Sequence, residues 1–455
     1  MGVLESLAVA ARELMLFAAV GLLIGGLDDL LLDTLFFARR IWGRFGVRLT
    51  GDELPPVPRS RIAIFVPTWR EHKVIGPMLR TLLTRLSGDY TVYVAVYVND
   101  TQTAAAVQAI ADGDHRIRLV TNPSPGPSTK ADNLNLLWEA VRNAEARAQT
   151  TTRFVVLHDA EDVVHPDELR VFDALIERFD VIQLPVKPLV RQGLQLIAGS
   201  YSDQFAEAHT KSLAVRSAIG AGMPLAGVGC AISAEALATV AHARGGQPFD
   251  ATCLVEDYEA GLRLAELRFR GAFVRYWGEH QLVAVGEYFP DTFGAAIRQK
   301  ARWMAGIALA GWDRTGWSRP THVLDHWMRL RDRRALLAII VLAAAYVSAV
   351  LYGVVVAASA LTGEAPATAV TPPAWLLQIN VALLCWRLMV RTAFTWRAYG
   401  WRMAAGAPLR FVIGNFIDLA AAPLALKRYA QTFRGAPPIW DKTEHEFPEL
   451  AEARR

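Results

Sequence analysis

The chain has 455 residues, of which 53% are hydrophobic and 20% are charged, with a net charge of +4 and a mean hydropathy of +0.22. This composition excludes a disordered or fibrous chain. It is too apolar for an ordinary cytosolic enzyme, since soluble domains carry about 25% charge, and too mixed for a pure membrane bundle. The small net charge does not indicate nucleic-acid binding, and we expect none.

Three cysteines are spread along the sequence, at positions 230, 253 and 385, and they form no C-x-x-C pair. The spacing therefore predicts neither a disulfide framework nor a zinc site, and it is typical of a chain that works in a reducing compartment.

The N-terminal unit, residues 1–50, is predicted to be a membrane helix with a basic flank. Residues 14–38 are apolar and exceed the roughly 20 residues that span a bilayer. Acids at membrane depth normally face protein, so Asp28, Asp29 and Asp33 predict that this helix packs against other helices. Arginines at 39, 40, 44 and 48 place this flank in the cytoplasm by the positive-inside rule. No small-residue cleavage site follows, so we expect an anchor rather than a removed signal peptide.

The C-terminal membrane region is predicted over residues 331–435, followed by a polar tail over 436–455. An uncharged span at 335–363 and a returning span at 375–390 flank a loop without Lys or Arg, which should be external. The last apolar stretch, 411–426, is short and contains Asp and Pro, which favours an interfacial or re-entrant helix. Arg387 is predicted to contact a lipid phosphate or to pair with an acid of the first segment.

Residues 51–330 read as one cytoplasmic domain in which strands and helices alternate. Apolar runs predict strands at 61–67, 90–98, 117–121, 153–162 and 180–186, with helices at 75–86 and 131–144 among them. This alternation predicts an α/β fold with a mainly parallel sheet, whose ligands bind beyond the carboxyl ends of the strands. The phosphate-binding motifs G-x-G-x-x-G and G-x-x-x-x-G-K-[ST] do not occur.

Acidic residues follow four strands or strand-like runs. The set comprises Glu71, Asp100, the cluster Asp159, Glu161 and Asp162, and the pair Glu256 and Asp257. Carboxylates in such places suit Mg²⁺ or Mn²⁺, which bind oxygen and neutralise a diphosphate, and a separate carboxylate can accept a proton from a hydroxyl. The alternative is that each acid is a solvated cap at a strand end. Four such sites in this order make that alternative less favourable for the set.

Basic and aromatic residues complete the candidate site. Lys130 opens a helix after a Pro- and Gly-rich stretch and can contact phosphate. Gln299, Arg302 and Trp303 form the pattern Q-x-x-R-W, in which the arginine can bind phosphate and the indole can stack on a sugar or base. The same stretch can instead lie on the inner membrane surface as a basic amphipathic helix. The glycine-containing segment 222–230 either lets backbone approach an acceptor sugar or forms a packing loop.

Taken in order, PTWRE, YVND, STKADNLN, DAED, VED and QKARW resemble the motifs of family 2 inverting glycosyltransferases over roughly residues 15–448. The closest group is the membrane-bound Q-x-x-R-W kind, which includes cellulose and hyaluronan synthases. Within it, DDLL, HDAED and WDKTEH are most similar to the glycosyltransferase portion of the phage-adsorption protein B type. The resemblance implies a GT-A-like nucleotide-sugar-binding domain, with transmembrane and interfacial helices at both ends.

The resemblance also implies roles for the matching residues. Asp257 is the general base, and Asp159 and Glu161 hold Mg²⁺ or Mn²⁺, with Asp162 as an alternative ligand. The donor would be bound by Glu71, Asp100, Lys130, Asp159 and Arg302, and the acceptor by Glu256, Gln299 and Trp303. Three positions depart from the family pattern: Asn99 replaces an acid, Val255 replaces a threonine, and Glu161 replaces an aspartate.

The implied activity is inverting transfer from a nucleotide diphosphate sugar, expected to be UDP-linked, to a hydroxyl acceptor in exopolysaccharide or cell-envelope glycan synthesis. The enzyme would be a multi-pass protein of the inner membrane, and envelope export proteins are expected partners. Two alternatives stay open. One is transfer of a single sugar to a membrane lipid, favoured by the few predicted spans. The other is an inactive scaffold or export partner with the same fold.

Overall fold

The computed structural model describes residues 2–43, 47, 49, 54–191, 193, 195–279, 281–367, 370–434 and 446–448. Arg44, Arg48 and all of the predicted tail except 446–448 lie outside the described residues. The helices are α1 (Val3–Ile41), α2 (Ile75–Arg85), α3 (Thr101–Ala111), α4 (Lys130–Ala148), α5 (Glu168–Leu175), α6 (Ala198–Glu207), α7 (Leu213–Ala218), α8 (Ala234–Ala243), α9 (Glu256–Glu266), α10 (Phe293–Trp303), α11 (Ala310–Thr315), α12 (Val323–Arg333), α13 (Ala335–Thr362), α14 (Ala374–Tyr399), α15 (Trp401–Ala405) and α16 (Ala407–Thr432). π-Helical turns at Ala208–Ser212 and Met304–Leu309 continue α6 and α10.

The strands form one large sheet and one small sheet. They are β1 (Ile62–Pro67), β2 (Tyr90–Tyr97), β3 (Ile117–Asn122), β4 (Phe154–Leu157), β5 (Val181–Gln183), β6 (Val186–Pro188), β7 (Cys230–Ser233), β8 (Gly271–Phe273) and β9 (Val285–Glu287). The large sheet has the order β3-β2-β1-β4-β7-β5-β8, and β6 pairs with β9 in the small one. Among the strands of the described residues, β7 alone runs antiparallel to its neighbours in the large sheet. The predicted mainly parallel sheet is confirmed.

Helices cover both faces of the large sheet, because alternate side chains of each strand point to opposite sides. Ile62 and Ile64 pack with α2, α3 and α5 in one apolar cluster. Ala63 and Phe65 pack with α4 and α8 in the other. This burial on both sides explains why the strand runs are almost continuously apolar rather than alternating.

Two predicted strands were wrong in extent. The run 180–186 forms two short strands, β5 and β6, and β6 leaves the large sheet to pair with β9. Pro185 lies between them and has no N–H to continue a ladder. The run 153–162 is a strand only as far as Leu157, and its acids occupy the loop beyond.

Four helices, α1, α13, α14 and α16, are long and apolar enough to cross a membrane. As predicted, the acids of α1 face protein. Asp28 and Asp29 contact Arg331 and Arg334, and Arg387 pairs with Asp29, which selects the pairing alternative. The membrane helices are thus tied together by ion pairs as well as by apolar contacts.

The re-entrant alternative for 411–426 is wrong. This stretch is the middle of α16, which continues without a break past Pro423 and spans 26 residues. A re-entrant turn is therefore excluded, and the length suits a membrane crossing. The helix is longer than the apolar stretch because it extends through polar residues at both ends, from Ala407 to Thr432.

A buried ion pair joins the sheet domain to this membrane region. Arg410 of α16 donates two hydrogen bonds of 2.8 Å to Asp203 of α6, and Thr395 of α14 donates to the same carboxylate at 2.9 Å. Gly199 leaves room for the guanidinium chain, because a Cβ there would lie 2.7 Å from Arg410 Cδ. The domain is therefore held at a fixed place against α14 and α16.

Candidate active site

A cluster of opposite charges lies beyond the carboxyl end of β4. Lys130 is the first residue of α4, whose N-terminus is capped by the Thr129 hydroxyl. Its Nζ lies 2.6 Å from Asp159 Oδ1 and 3.9 Å from Glu256 Oε1. Three of the predicted site residues, separated by as many as 126 positions, therefore meet in one place.

Gly227 forms one wall of this cluster with its backbone. Its carbonyl oxygen lies 3.5 Å from Lys130 Nζ. A Cβ on Gly227 would lie 2.5 Å from Asp257 Oδ2 and 3.1 Å from Lys130 Nζ, and its φ of +77° also favours glycine. The segment 222–230 is predicted either to let backbone approach an acceptor sugar or to form a packing loop. In the structure Gly227 approaches Lys130 and Asp257, the candidate base, and the sequence did not reveal this role.

The environment shifts the pKa values of the cluster in ways that suit acid–base chemistry. Burial, with repulsion from Asp257, raises the pKa of Glu256 to about 7. Burial also raises the pKa of Asp257, while Lys130, the Tyr258 amide and Arg302 limit the rise. For Lys130, burial favours the neutral form, but Asp159, Glu256 and Asp257 outweigh it and hold its pKa above the ordinary value. The site thus contains a permanent cation beside carboxylates with increased basicity.

A buried triad fixes the loop that carries Asp159. His158 contacts Asp162 at 2.8 Å through Nδ1 and Glu168 at 2.6 Å through Nε2. Burial disfavours the imidazolium, but the two carboxylates outweigh it and raise the pKa of His158 to about 10. Asp162 Oδ2 also accepts a 3.0 Å hydrogen bond from the Asp159 amide. Asp162 therefore holds the loop in place, whereas sequence reasoning offered it as an alternative metal ligand.

Glu71 and Asp100 lie together near the ends of β1 and β2, where donor binding was predicted. Asp100 caps α3 by accepting from the Thr103 amide at 3.3 Å, and it also accepts from the Arg70 amide. The Glu71 amide donates to the Thr103 hydroxyl at 2.9 Å. Asp100 is thus a buried helix cap rather than a solvated one, and its contact with a nucleoside stays a prediction.

The Q-x-x-R-W motif lies on the last turns of α10. Trp303 packs among Tyr201, Phe205 and Phe289. The charge of Arg302 acts on both Glu256 and Asp257. This favours the site interpretation of the motif over a helix lying free on the membrane surface.

Two contacts hold α10 beside the acids. Val255, just before α9, packs against Gly306 in the π-helical turn that continues α10. A Cβ added to Gly306 would lie 2.5 Å from Cγ2 of Val255. Along its length α10 packs on α16. The side-chain oxygen of Gln299 is buried without a hydrogen-bond partner in the described part of the chain.

The predicted donor set for a divalent ion is Asp159 and Glu161. Among the described residues no group of three or more His, Cys, Asp or Glu side chains is arranged around a common metal position. Mg²⁺ usually needs only one or two protein carboxylates, because substrate phosphates and water supply the other ligands. Asp159 keeps 29% of its side chain exposed while Lys130 contacts one oxygen, so Asp159 fits such an ion.

An α/β domain with carboxylates and a lysine gathered beyond its parallel strands is the arrangement of a GT-A glycosyltransferase. The fold comparison agrees. The mannosyltransferase PcManGT from Pyrobaculum calidifontis, solved in complex with GDP-Man and Mn²⁺, matches with a TM-score of 0.53 and 17% identity over 90% of this chain and 98% of that chain. The predicted fold class is confirmed.

A family model described as "Glycosyltransferase like family 2" matches residues 58–306. The chain belongs to this family and is a glycosyltransferase. It is 33% identical over 460 residues to "Bacteriophage adsorption protein B" of Escherichia coli (strain K12) and, at the same level, to "Bacteriophage N4 adsorption protein B" of Escherichia coli O157:H7. These matches cover 95% of this chain but 62% of the relatives, so the chain spans less than two thirds of their length.

Proposed function

We propose that the chain transfers a sugar from a nucleotide diphosphate sugar to an acceptor hydroxyl with inversion at the anomeric carbon. One observation carries the proposal. Lys130 and Asp257 lie against the backbone of Gly227, Asp159 pairs with Lys130, and the charge of Arg302 acts on Asp257. A cationic binding place for a diphosphate therefore adjoins a carboxylate of raised basicity.

In the proposed reaction Asp257 accepts the proton of the acceptor hydroxyl. The hydroxyl oxygen forms a bond to the anomeric carbon from the face opposite the diphosphate. The bond between that carbon and the diphosphate oxygen breaks, and its electron pair leaves with the diphosphate. A single displacement of this kind inverts the configuration, so an α-linked donor gives a β-linked product.

The cations of the site act on the leaving group. Lys130 and Arg302 offset the charge that develops on the diphosphate. A Mg²⁺ or Mn²⁺ ion held by Asp159 and Glu161 would supply further neutralisation of that charge. Asp162 holds Asp159 in position through the hydrogen bond from the Asp159 amide, and His158 in turn holds Asp162. None of these hydrogen bonds involves a group that reacts, so they can persist during the transfer.

We further propose a UDP-linked donor and a product that belongs to an exopolysaccharide or envelope glycan, made on the cytoplasmic side of the inner membrane and passed to export partners. The basic flanks of α1 and α13 support this orientation. A lipid acceptor is the second candidate. The packing of α10, which carries Arg302, against α16 favours it, because an acceptor in the bilayer would lie next to the motif.

The decisive variant is Asp257→Asn, which keeps the shape of the side chain and removes its basicity. Membranes containing the variant should transfer no labelled sugar from a panel of UDP- and GDP-linked donors, while the purified variant still binds the nucleotide in calorimetry. Asp89→Asn is the matched control, because Asp89 is an exposed acid paired only with Arg61 in the described residues. Turnover retained by the Asp257 variant would refute the role of this residue. The size of the wild-type product separates polymer synthesis from single transfer.

A further inference from the structure

A cavity separate from the candidate active site lies where the sheet domain meets the end of α14. Its volume is about 240 Å³. Its walls come from the loop after Asp162, from the β6–β9 sheet, from the π-helical end of α6 and from the last turn of α14. The predicted transfer residues do not line it, so it is not an extension of the site around Lys130.

The charged side chains that line this cavity are all basic. The wall includes Arg85, Lys187, Arg275 and Arg397, and no carboxylate lines it in the described part of the chain. Ion pairs neutralise most other buried cations of this protein, as Asp203 does for Arg410. Within the described residues no ion pair engages Lys187, Arg275 or Arg397. Lys187 and Arg275 are half-buried and Arg397 is exposed, and cations grouped in this way without a counter-charge are stabilised when an anion joins them.

Two histidines add neutral donors to the wall. Nδ1 of His165 accepts a hydrogen bond from the Asp167 amide, and Nδ1 of His209 accepts one from the Val186 amide, both at 3.0 Å. In each ring the hydrogen is therefore on Nε2. His165 is 7% exposed, and its Nε2 has no hydrogen-bond partner among the described residues.

Arg275 also has an N–H group without a hydrogen-bond partner. Its Nε is buried without a partner in the described chain. Burial and the nearby charges of Arg397 and Arg40 lower the pKa of Arg275 to about 10, which shows that these cations crowd one another. Asp167, the acid beside His165, is already paired with Arg170. The cavity therefore has excess positive charge and at least two N–H donors, on His165 and Arg275, that no acceptor satisfies in the described part of the chain.

We propose that this cavity binds a phosphate group, carried either by the headgroup of a membrane lipid or by a soluble phosphorylated molecule. A phosphate offers several acceptor oxygens and negative charge, which match both deficits. The place at the end of α14 puts the cavity at the depth of lipid headgroups, where basic pockets between helices receive such groups. A bound phosphate would join Lys187 and Arg275 of the sheet domain to Arg397 of α14.

The test uses the full chain in detergent, with binding of dioleoylphosphatidylglycerol measured by native mass spectrometry and by thermal stabilisation. Inorganic phosphate and pyrophosphate form a second arm, and phosphatidylcholine controls for net charge. Lys187→Ala should weaken binding about tenfold, the effect of losing one charge-assisted contact. Lys187→Arg should restore it. Arg402→Gln removes an exposed arginine just beyond α14 and outside the cavity, and should leave binding unchanged.

Each outcome bears on the proposal. Phosphatidylglycerol binding that depends on Lys187 supports a lipid headgroup as the ligand. Dependence seen only with phosphate or pyrophosphate supports a soluble ligand in the same cavity. Equal binding by the wild type, Lys187→Ala and Arg402→Gln in both arms would overturn the proposal. Arg397→Gln provides a second cavity variant, and gel filtration of each protein excludes misfolding as the cause of lost binding.

Discussion

Gly227 gives the sharpest test of the site geometry. In Gly227→Ala the new Cβ would lie 2.5 Å from Asp257 Oδ2, whereas ordinary contacts of a Cβ begin near 3.4 Å. The carboxylate or the loop must therefore move by about 1 Å. Misplacement by about 1 Å can reduce turnover about 100-fold, so we expect kcat for sugar transfer to fall by about two orders of magnitude.

The backbone adds a separate effect, because alanine at a φ of +77° costs about 1–2 kcal/mol. Gly220→Ala controls for this effect. Gly220 has a φ of +71°, and no atom lies within 4 Å of its added Cβ. The two variants should lose similar stability in thermal unfolding, while only Gly227→Ala should lose turnover with labelled donor. A wild-type kcat in a folded Gly227→Ala enzyme would contradict the close approach of Asp257 and Gly227. An equal loss of turnover in Gly227→Ala and Gly220→Ala would contradict it as well.

The remaining predictions concern stability, pH and metal. Asp203→Asn leaves Arg410 buried without its counter-charge and should cost about 3–5 kcal/mol in unfolding free energy. The exposed control Asp89→Asn should cost less than about 1 kcal/mol, and equal losses would refute the anchoring role. Burial raises the pKa of Asp257, and Asp257 must be ionised to act as the base. We therefore expect kcat/KM to fall as the pH drops through a value above the ordinary aspartate pKa of about 3.9. A kcat/KM that is unchanged down to a pH of about 4 would exclude Asp257 as the base. Chelation of divalent ions should abolish transfer and Mn²⁺ or Mg²⁺ should restore it, with full activity in chelator as the contrary result.

Much of the fold could be predicted because its signals are local. The run from Ile62 to Pro67 is apolar at nearly every position since both faces of β1 are covered, and the sequence shows this directly. The acids at 159–162 follow a strand in sequence, and strand ends of a parallel sheet meet at one edge. This is why the placement of Asp159 near Lys130 could be expected before any coordinates were known.

The rest depended on contacts between distant parts of the chain. The split of 180–186 follows from the partner of β6, which is β9, about 100 residues later. The approach of Gly227 to Asp257 depends on loop geometry that no local pattern encodes. The basic cavity likewise combines Lys187 with Arg397, which share no motif, so only the folded chain reveals it.

The membrane helices are part of the support of the candidate active site rather than a separate anchor. The charge of Arg302, on α10, acts on Glu256 and Asp257, and α10 is held by α16, which follows it by about 100 residues. The same α16 carries Arg410, whose ion pair with Asp203 fixes α6, and Tyr201 and Phe205 of α6 pack on Trp303. Movement of α16 would therefore shift Trp303 through two routes at once. The position of the Q-x-x-R-W motif near Asp257 is thus set jointly by the sheet domain and by helices that are long and apolar enough to cross a membrane. The family match ends at residue 306, before α16 begins, so this support comes from a part of the chain outside the matched region.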